Sequence, residues 1–189
     1  MIKLDKIYTT GGDKGQTSLG DGQRVSKTSK IIIAVGCVEE LNAHIGLALT
    51  VPKNKYKKIL TNIQNDLFDM GADLVVPKSN IRKKSVLRIK DVHVSKIEKY
   101  IDDINDDLPP LKSFILPGGS ILSSRLHLAR TVCRRCEINI LHINNETSIN
   151  QNVKRYINRL SDLLFVIARS ANLVNNKEIL WKPGKNLDL

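Results

Sequence analysis

The sequence predicts an all-α protein: a five-helix bundle, up-down with ferritin-like packing, preceded by an irregular glycine-rich segment. Three observations carry this. From Lys30 onward apolar residues recur every three or four positions, the period of a helix laid on a core. The apolar-polar alternation of half-buried strands is scarce. Proline and paired glycine or asparagine cut the pattern into five runs. The 189 residues suit one domain with a substantial core. It divides into a segment over 1–28 and a bundle over 29–189, with no internal repeat.

Within residues 1–28, Thr9-Thr10-Gly11-Gly12-Asp13-Lys14-Gly15-Gln16-Thr17-Ser18-Leu19-Gly20-Asp21-Gly22 is polar and follows neither a helical nor a strand period. The first apolar stripe is Val35, Val38, Leu41, Ile45 and Leu49, stopped by Pro52. The second is Leu60, Ile63, Leu67, Met70 and Leu74, stopped by Pro77, with a lysine-rich connection from Lys78 to Lys90 behind it. Val94, Ile97, Ile101 and Ile104 form a shorter third, ending before Pro109-Pro110. Phe114-Ile115-Leu116-Pro117-Gly118-Gly119-Ser120 forces a turn, and Ser120 suits the N-cap of the fourth helix. That helix carries Leu122, Leu126, Ala129, Val132, Cys133, Cys136, Ile140 and Ile143 and ends at Asn144-Asn145. Ser148-x-x-Gln151 reads as a capping box opening the fifth, whose stripe runs from Val153 to Val174. Ile179-Leu180-Trp181-Lys182-Pro183 is at most a short ordered tail.

Composition narrows the function classes. No stretch approaches the roughly 20 apolar residues of a membrane span, and the N-terminus lacks a signal or transit pattern. A cytoplasmic protein with reduced thiols is expected, or a mitochondrial matrix one with its leader removed. Cys133-x-x-Cys136 shares one helix face, which favours core filling over a redox or metal role. The four histidines have no metal-ligand spacing. The net charge of +11 implies anionic partners, although scattered lysine supplies much of it.

Two polar lines stand out. His127, Arg130, Arg134 and Glu137 step by three and four beside the apolar stripe of the fourth helix, and Asn158, Asp162, Phe165 and Arg169 do so on the fifth. They read either as a polar cleft or as a solvated flank of weak ion pairs. Arginine in a lysine-preferring chain favours the cleft, because its planar fork grips phosphate or carboxylate at two points. The glycine-rich segment reads either as a flexible terminus or as a loop whose bare N–H groups, helped by Lys14, Thr17 and Ser18, turn onto phosphate. It is not a Walker A loop. Lys27 either reaches the same anion or is one more exposed lysine.

Taken in order, several blocks resemble the PduO-type ATP:cob(I)alamin adenosyltransferases over nearly the whole chain. They begin with Lys6-Ile7-Tyr8-Thr9, Gly12-Asp13-Lys14-Gly15 and Thr17-Ser18-Leu19, followed by Gly36-x-x-Glu39-Glu40-Leu41-Asn42. Gln64-x-x-Leu67-Phe68-Asp69-x-Gly71-Ala72-x-Leu74 and Phe114-Ile115-Leu116-Pro117-Gly118-Gly119 come next. Ala129-Arg130-Thr131-Val132-Cys133-Arg134-Arg135-Cys136-Glu137, Asn158-Arg159-Leu160-Ser161-Asp162 and Trp181-x-Pro183 close the series.

The resemblance implies a homotrimer with interfacial active sites, small-molecule substrates, and no nucleic acid or membrane partner. It implies transfer of the 5′-deoxyadenosyl group of ATP, bound with Mg²⁺, to cob(I)alamin or a related corrinoid. Residues 1–28 would cap the nucleotide of one subunit, and the Arg-Arg-x-Glu helix would come from its neighbour. Nucleotide contacts would be Thr9, Gly12, Lys14, Thr17, Ser18, Lys27, Arg134, Glu137 and Asn158. Glu137 would orient an arginine or the metal beside the phosphates. Arg130 would pair with Glu39 across the interface, and Phe114 would lie under the corrin ring in place of the lower axial ligand. Lys14, Lys27 and Arg134 would stabilise the leaving triphosphate.

Three positions depart from the family's usual pattern. Thr10-Gly11 stands where Lys-Thr is usual, Glu39 where aspartate is usual, and Ile138 where arginine is usual. The first and third remove positive charge near ATP. Two other readings fit the composition: a basic helical module binding nucleic acid or an acidic protein, and a corrinoid or nucleotide chaperone on the same fold.

Overall fold

The computed structural model describes residues 7–76, 87–144, 148–173 and 178–186. It has a small antiparallel pair, β1 (Gln16–Ser18) and β2 (Arg24–Ser26), followed by five helices. These are α1 (Lys30–Leu49), α2 (Lys57–Leu74), α3 (Asp91–Asn105), α4 (Ile121–Asn144) and α5 (Gln151–Leu173). Most of the expected Lys78–Lys90 connection, the stops at Pro77 and Asn145, Val174 and Lys6 lie outside the described residues.

The starts of α4 and α5 follow the capping chemistry, with one displacement. Ser120 caps α4: its Oγ accepts from Ser123 N at 3.2 Å. The Ser148 capping box expected for α5 is replaced by Asn150, whose Oδ1 accepts from Asn152 N at 3.1 Å. Asparagine at the position adjoining the helix reaches the free N–H of its first turn directly, so serine two residues earlier is not needed.

Cross-contacts fix the helix directions. Arg125 near the start of α4 reaches Leu47 O at the end of α1, and Arg135 further along α4 pairs with Glu40. Glu137 of α4 meets Asn158 of α5, while Gly118, ahead of α4, meets Asn172 at the other end of α5. The helices therefore alternate in direction along the chain. α1 packs on α2 and α4, α4 on α5, and α3 on α5. The ring closes where α2 meets α5: Tyr156 OH donates to Asp66 at 2.9 Å, and Tyr56 OH donates to Ser170. The apolar stripes fill the interior, with Leu41, Ile45, Leu60, Met70, Leu126 and Ile157 wholly buried.

One expectation needs correction. The sequence was expected to hold no stretch apolar enough to cross a membrane, yet α1 does so by length and composition, with a mean hydropathy of 1.5 over its best window. Only 33% of that window is buried within the chain. Its core side is Ala34, Val38, Leu41, Ile45 and Ala48. Ile31, Val35, Cys37 and Leu49 are partly buried against the core, while Ile33 and Leu47 stay exposed. Glu39, Glu40, Asn42 and His44 interrupt the run, so α1 is a bundle helix with a second apolar face.

Candidate functional site

The segment expected to be irregular folds into a hairpin. Gln16, Thr17 and Ser18 pair with Ser26, Val25 and Arg24. Each strand has only three residues, too few for alternation to register in the sequence. Arg24, which the sequence reading passed over, ties the segment together: its Nη2 donates to Gly11 O at 2.8 Å and its Nη1 to Ser18 Oγ at 3.2 Å. Turn bonds from Asp13 N to Thr10 O and from Gly15 N to Gly12 O wind residues 10–15 into a tight loop. Gly15 sits at φ +74°, where glycine is unstrained. The Lys27 ammonium rests on Gly12: a Cβ there would stand 2.7 Å from Nζ. Thr9 and Lys14 are exposed and Thr17 is half-buried. The loop thus gathers bare N–H groups, two hydroxyls and the Lys14 and Lys27 side chains, the donor set an anionic phosphate needs.

The hairpin docks on the end of α2. Leu19 is buried, and Gly20 N donates to Val75 O at 3.3 Å. Val75 also rims a cavity of about 540 Å³ between α1 and α2, lined by Val35, Glu39, Leu67, Phe68 and Gly71. Phe68 is 75% exposed on this face, and the exposed Glu39 carboxylate stands beside it.

The arginine line occupies the opposite face of the ring, between α4 and α5. Glu137 Oε1 accepts from Asn158 Nδ2 at 3.0 Å, joining the two helices. Arg134 is exposed beside them. One turn earlier the Arg130 guanidinium lies 5.2 Å from the centroid of the Phe165 ring, a cation–π contact. Its Nε is buried without a hydrogen-bond partner. His127 meets the same ring edge-on. Burial, then the Arg130 charge, hold the His127 imidazole below its ordinary pKa, so it is neutral beside the arginine. The fourth member of the α5 line departs from the cleft: Arg169 is buried, paired with Glu178 and donating to Pro109 O. It anchors the chain on either side of the bundle's end.

Phe114 stands at that end, 78% exposed. The Pro117-Gly118-Gly119 turn behind it is clamped by Asn172, which accepts from Ser120 N and donates to Gly118 O. Gly119 has φ +96°, and a Cβ there would overlap the Asn172 amide. The C-terminal tail is more ordered than its sequence suggests: Trp181 N donates to Phe114 O at 2.7 Å, Leu116 N donates to Ile179 O, and the two rings meet at 5.9 Å. Trp181 as the neighbour of Phe114 was not legible in the sequence, since the two stand 67 positions apart and no shared period links them.

Cys133 and Cys136 are poorly placed to act as nucleophiles. Burial raises the Cys133 and Cys136 thiols, which donate to Ile157 O and Cys37 O. Among the described residues no group of three or more His, Cys, Asp or Glu could hold a metal ion. The arrangement therefore offers anion binding, cation–π contact and an exposed aromatic, with the Glu137 carboxylate on the arginine line itself.

Within one chain the elements divide between faces. Hairpin, groove and Glu39 share one; Arg130, Arg134, Glu137 and Asn158 share the other. Arg130 and Glu39 make no ion pair within the chain.

Comparison with known proteins shows the family and the fold. Residues 7–171 match a family model described as cobalamin adenosyltransferase. A corrinoid adenosyltransferase from Mycobacterium leprae (strain TN) is 44% identical over 190 residues, 97% of this chain and 98% of that protein. A cobalamin adenosyltransferase from Cupriavidus metallidurans is 42% identical over 183 residues, 95% and 96% of the two chains. A variant of the PduO-type ATP:corrinoid adenosyltransferase from Lactobacillus reuteri, solved with cobalamin and ATP, superposes with a TM-score of 0.87 at 38% identity. That match covers 94% of this chain and 99% of the other.

Proposed function

The chain belongs to the cobalamin adenosyltransferase family, and from that premise we propose that it transfers the 5′-deoxyadenosyl group of ATP to cobalt(I) of a corrinoid. The cobalt–carbon bond forms as the C5′–O bond breaks, and the electron pair leaves on triphosphate. Cobalt(I) is itself the nucleophile, so no side chain need remove a proton. The protein's task is to hold C5′ in line with cobalt and stabilise charge growing on the leaving group.

Each cluster has a part in this. The loop N–H groups, Thr9, Gly12, Thr17 and Ser18 cradle the phosphates, with Lys14, Lys27 and Arg134 supplying positive charge. Glu137 and Asn158, already bonded to each other at 3.0 Å, orient the nucleotide. A divalent cation bound with ATP would have Glu137 as its side-chain neighbour and would supply further positive charge to the leaving triphosphate. Phe114 presents an apolar ring to the lower face of the corrin, where it takes the place of water or a base and favours the four-coordinate metal.

The observation that carries this reading is the division of the site between opposite faces. The hairpin of one chain cannot meet its own α4/α5 face, but head-to-tail contact brings it onto a neighbour's. Such heterologous contact closes into a ring, and we assign the ring as a homotrimer. The exposed Phe68, Ile33 and Leu47 and the α1/α2 cavity are then covered. Glu39 of one subunit meets the half-buried Arg130 guanidinium of the next.

Co-expression of two inactive variants tests this. Lys27→Ala and Arg134→Ala subunits, each inert alone, regain adenosylcobalamin formation from ATP and cob(I)alamin when mixed, because some interfaces then carry both intact elements. Mixtures as inert as their components would place the whole site in one chain.

A further inference from the structure

Behind Phe114 lies a second cavity, of about 580 Å³, lined by Leu116, Leu180, Trp181, Lys182, Lys185 and Asn186. Its volume is within the range of roughly 300–1,000 Å³ typical of small-molecule sites. None of the roles above uses it. Its two lysines are placed together by a turn: Lys185 N donates to Lys182 O at 3.4 Å, with Pro183 and Gly184 between them and Gly184 at φ +67°. Proline then glycine at positive φ is the sequence of a type II turn, which brings its first and fourth residues close together. Both lysines line the cavity together with an indole and aliphatic side chains, the complement of a flat aromatic group carrying one phosphate. The same Trp181 packs on Phe114 at 5.9 Å, so cavity and lower corrin face share a wall.

We propose that this cavity receives the nucleotide tail of a complete corrinoid after Phe114 has taken its base's place beneath cobalt. The inference rests on the adenosyltransferase reading. A complete corrinoid ends in a heteroaromatic base joined through ribose to a phosphodiester. Once off the metal, that base loses its partner and the tail swings away from the ring. Lys182 and Lys185 hold the phosphodiester, and Trp181, Leu116 and Leu180 cover the base. The cavity thereby favours a tailed corrinoid over an incomplete one.

Steady-state kinetics with cob(I)alamin and with tail-less cob(I)inamide test this on the full chain. In wild type, KM is lower for cob(I)alamin. Lys182→Ala/Lys185→Ala raises that KM about tenfold, as loss of charge-assisted contacts would, with kcat kept and the cob(I)inamide KM within about twofold. Lys182→Arg/Lys185→Arg retains the low value, which separates charge from folding. Equal rises for both corrinoids, or no rise for either, overturn the proposal while leaving the adenosyltransferase reading intact. A wild type that adenosylates neither corrinoid overturns that reading and the tail site with it.

Discussion

The Arg130 guanidinium lies over the Phe165 ring, 5.2 Å from its centroid, with Nε buried and unpaired. A buried donor without an acceptor costs free energy unless a ligand or partner supplies one. The ring fixes the guanidinium plane, and the side chain is half-buried rather than enclosed, so a carboxylate arriving from outside the chain can still meet the guanidinium away from Nε.

Arg130→Ala is therefore expected to lower kcat/KM for adenosylation by about 10- to 100-fold, the worth of a hydrogen bond between charged groups. Arg130→Lys restores little, because an ammonium cannot reproduce the planar fork. Gel filtration of both variants against wild type shows whether the oligomer persists. Full activity in Arg130→Ala removes this residue from the site.

Gly12 and Lys27 act as one unit. A methyl at Gly12 would meet Lys27 Nζ at 2.7 Å, the mobile end of a flexible chain. Gly12→Ala displaces the ammonium without unfolding the hairpin. ATP affinity is expected to fall by about 1.5–3 kcal/mol in Gly12→Ala and in Lys27→Ala, and by little more in the double variant. Isothermal titration of the four proteins closes the cycle; additive losses would separate the two residues.

His127 gives a pH dependence of known sign. Burial, then the Arg130 charge, push its folded pKa below the 6.5 of the unfolded chain. Below 6.5 the unfolded state binds the proton more readily, so stability falls with pH. This contribution is complete above 6.5 and is lost as pH drops through the lowered value. Urea midpoints measured from pH 8 to pH 5 should fall more steeply in wild type than in His127→Gln. Parallel curves would show that His127 is not held neutral.

Arg88 and Ile89 are tied back to α2 at Asp73. Its buried carboxylate pairs with Arg88 and accepts from Ile89 N at 2.9 Å and Asn150 Nδ2 at 2.7 Å. Asp73→Ala leaves Arg88 and these donors without their acceptor, so chemical denaturation is expected to show a loss of about 3–5 kcal/mol. A loss below about 1 kcal/mol would mean water takes over the bonds.

The five helices were legible because each buries a stripe whose period is written in the sequence: Leu60, Ile63, Leu67 and Met70 cannot face one core in any other regular conformation. The polar lines were legible as lines, since helical spacing places His127, Arg130, Arg134 and Glu137 on one face. Which member serves the cleft was not. Arg169 continues the α5 spacing yet turns to Glu178, a partner set by the path of the tail. The hairpin was hidden for another reason. Three-residue strands have no measurable alternation, and Arg24 acts through carbonyl and hydroxyl contacts that leave no periodic mark. Trp181 on Phe114 is likewise a tertiary fact without local sequence signal.

Across the proposed interface, two departures from the usual family pattern would meet the same anion. Thr10 sits at φ +57°, a backbone region that β-branched residues rarely occupy, so its conformation is imposed by the loop bond from Asp13 N to Thr10 O. Lysine there is not β-branched and brings a positive charge beside Gly12 and Lys27. On α4, Ile138 is 57% exposed next to Glu137, where arginine would add a second charge without disturbing the core. Thr10→Lys/Ile138→Arg is expected to tighten ATP binding by about 1–2 kcal/mol, roughly 5- to 30-fold in Kd. The gain should shrink as salt rises, because exposed charges are screened. Isothermal titration at low and moderate ionic strength checks both parts. Unchanged affinity would mean that Lys14, Lys27 and Arg134 already neutralise the triphosphate.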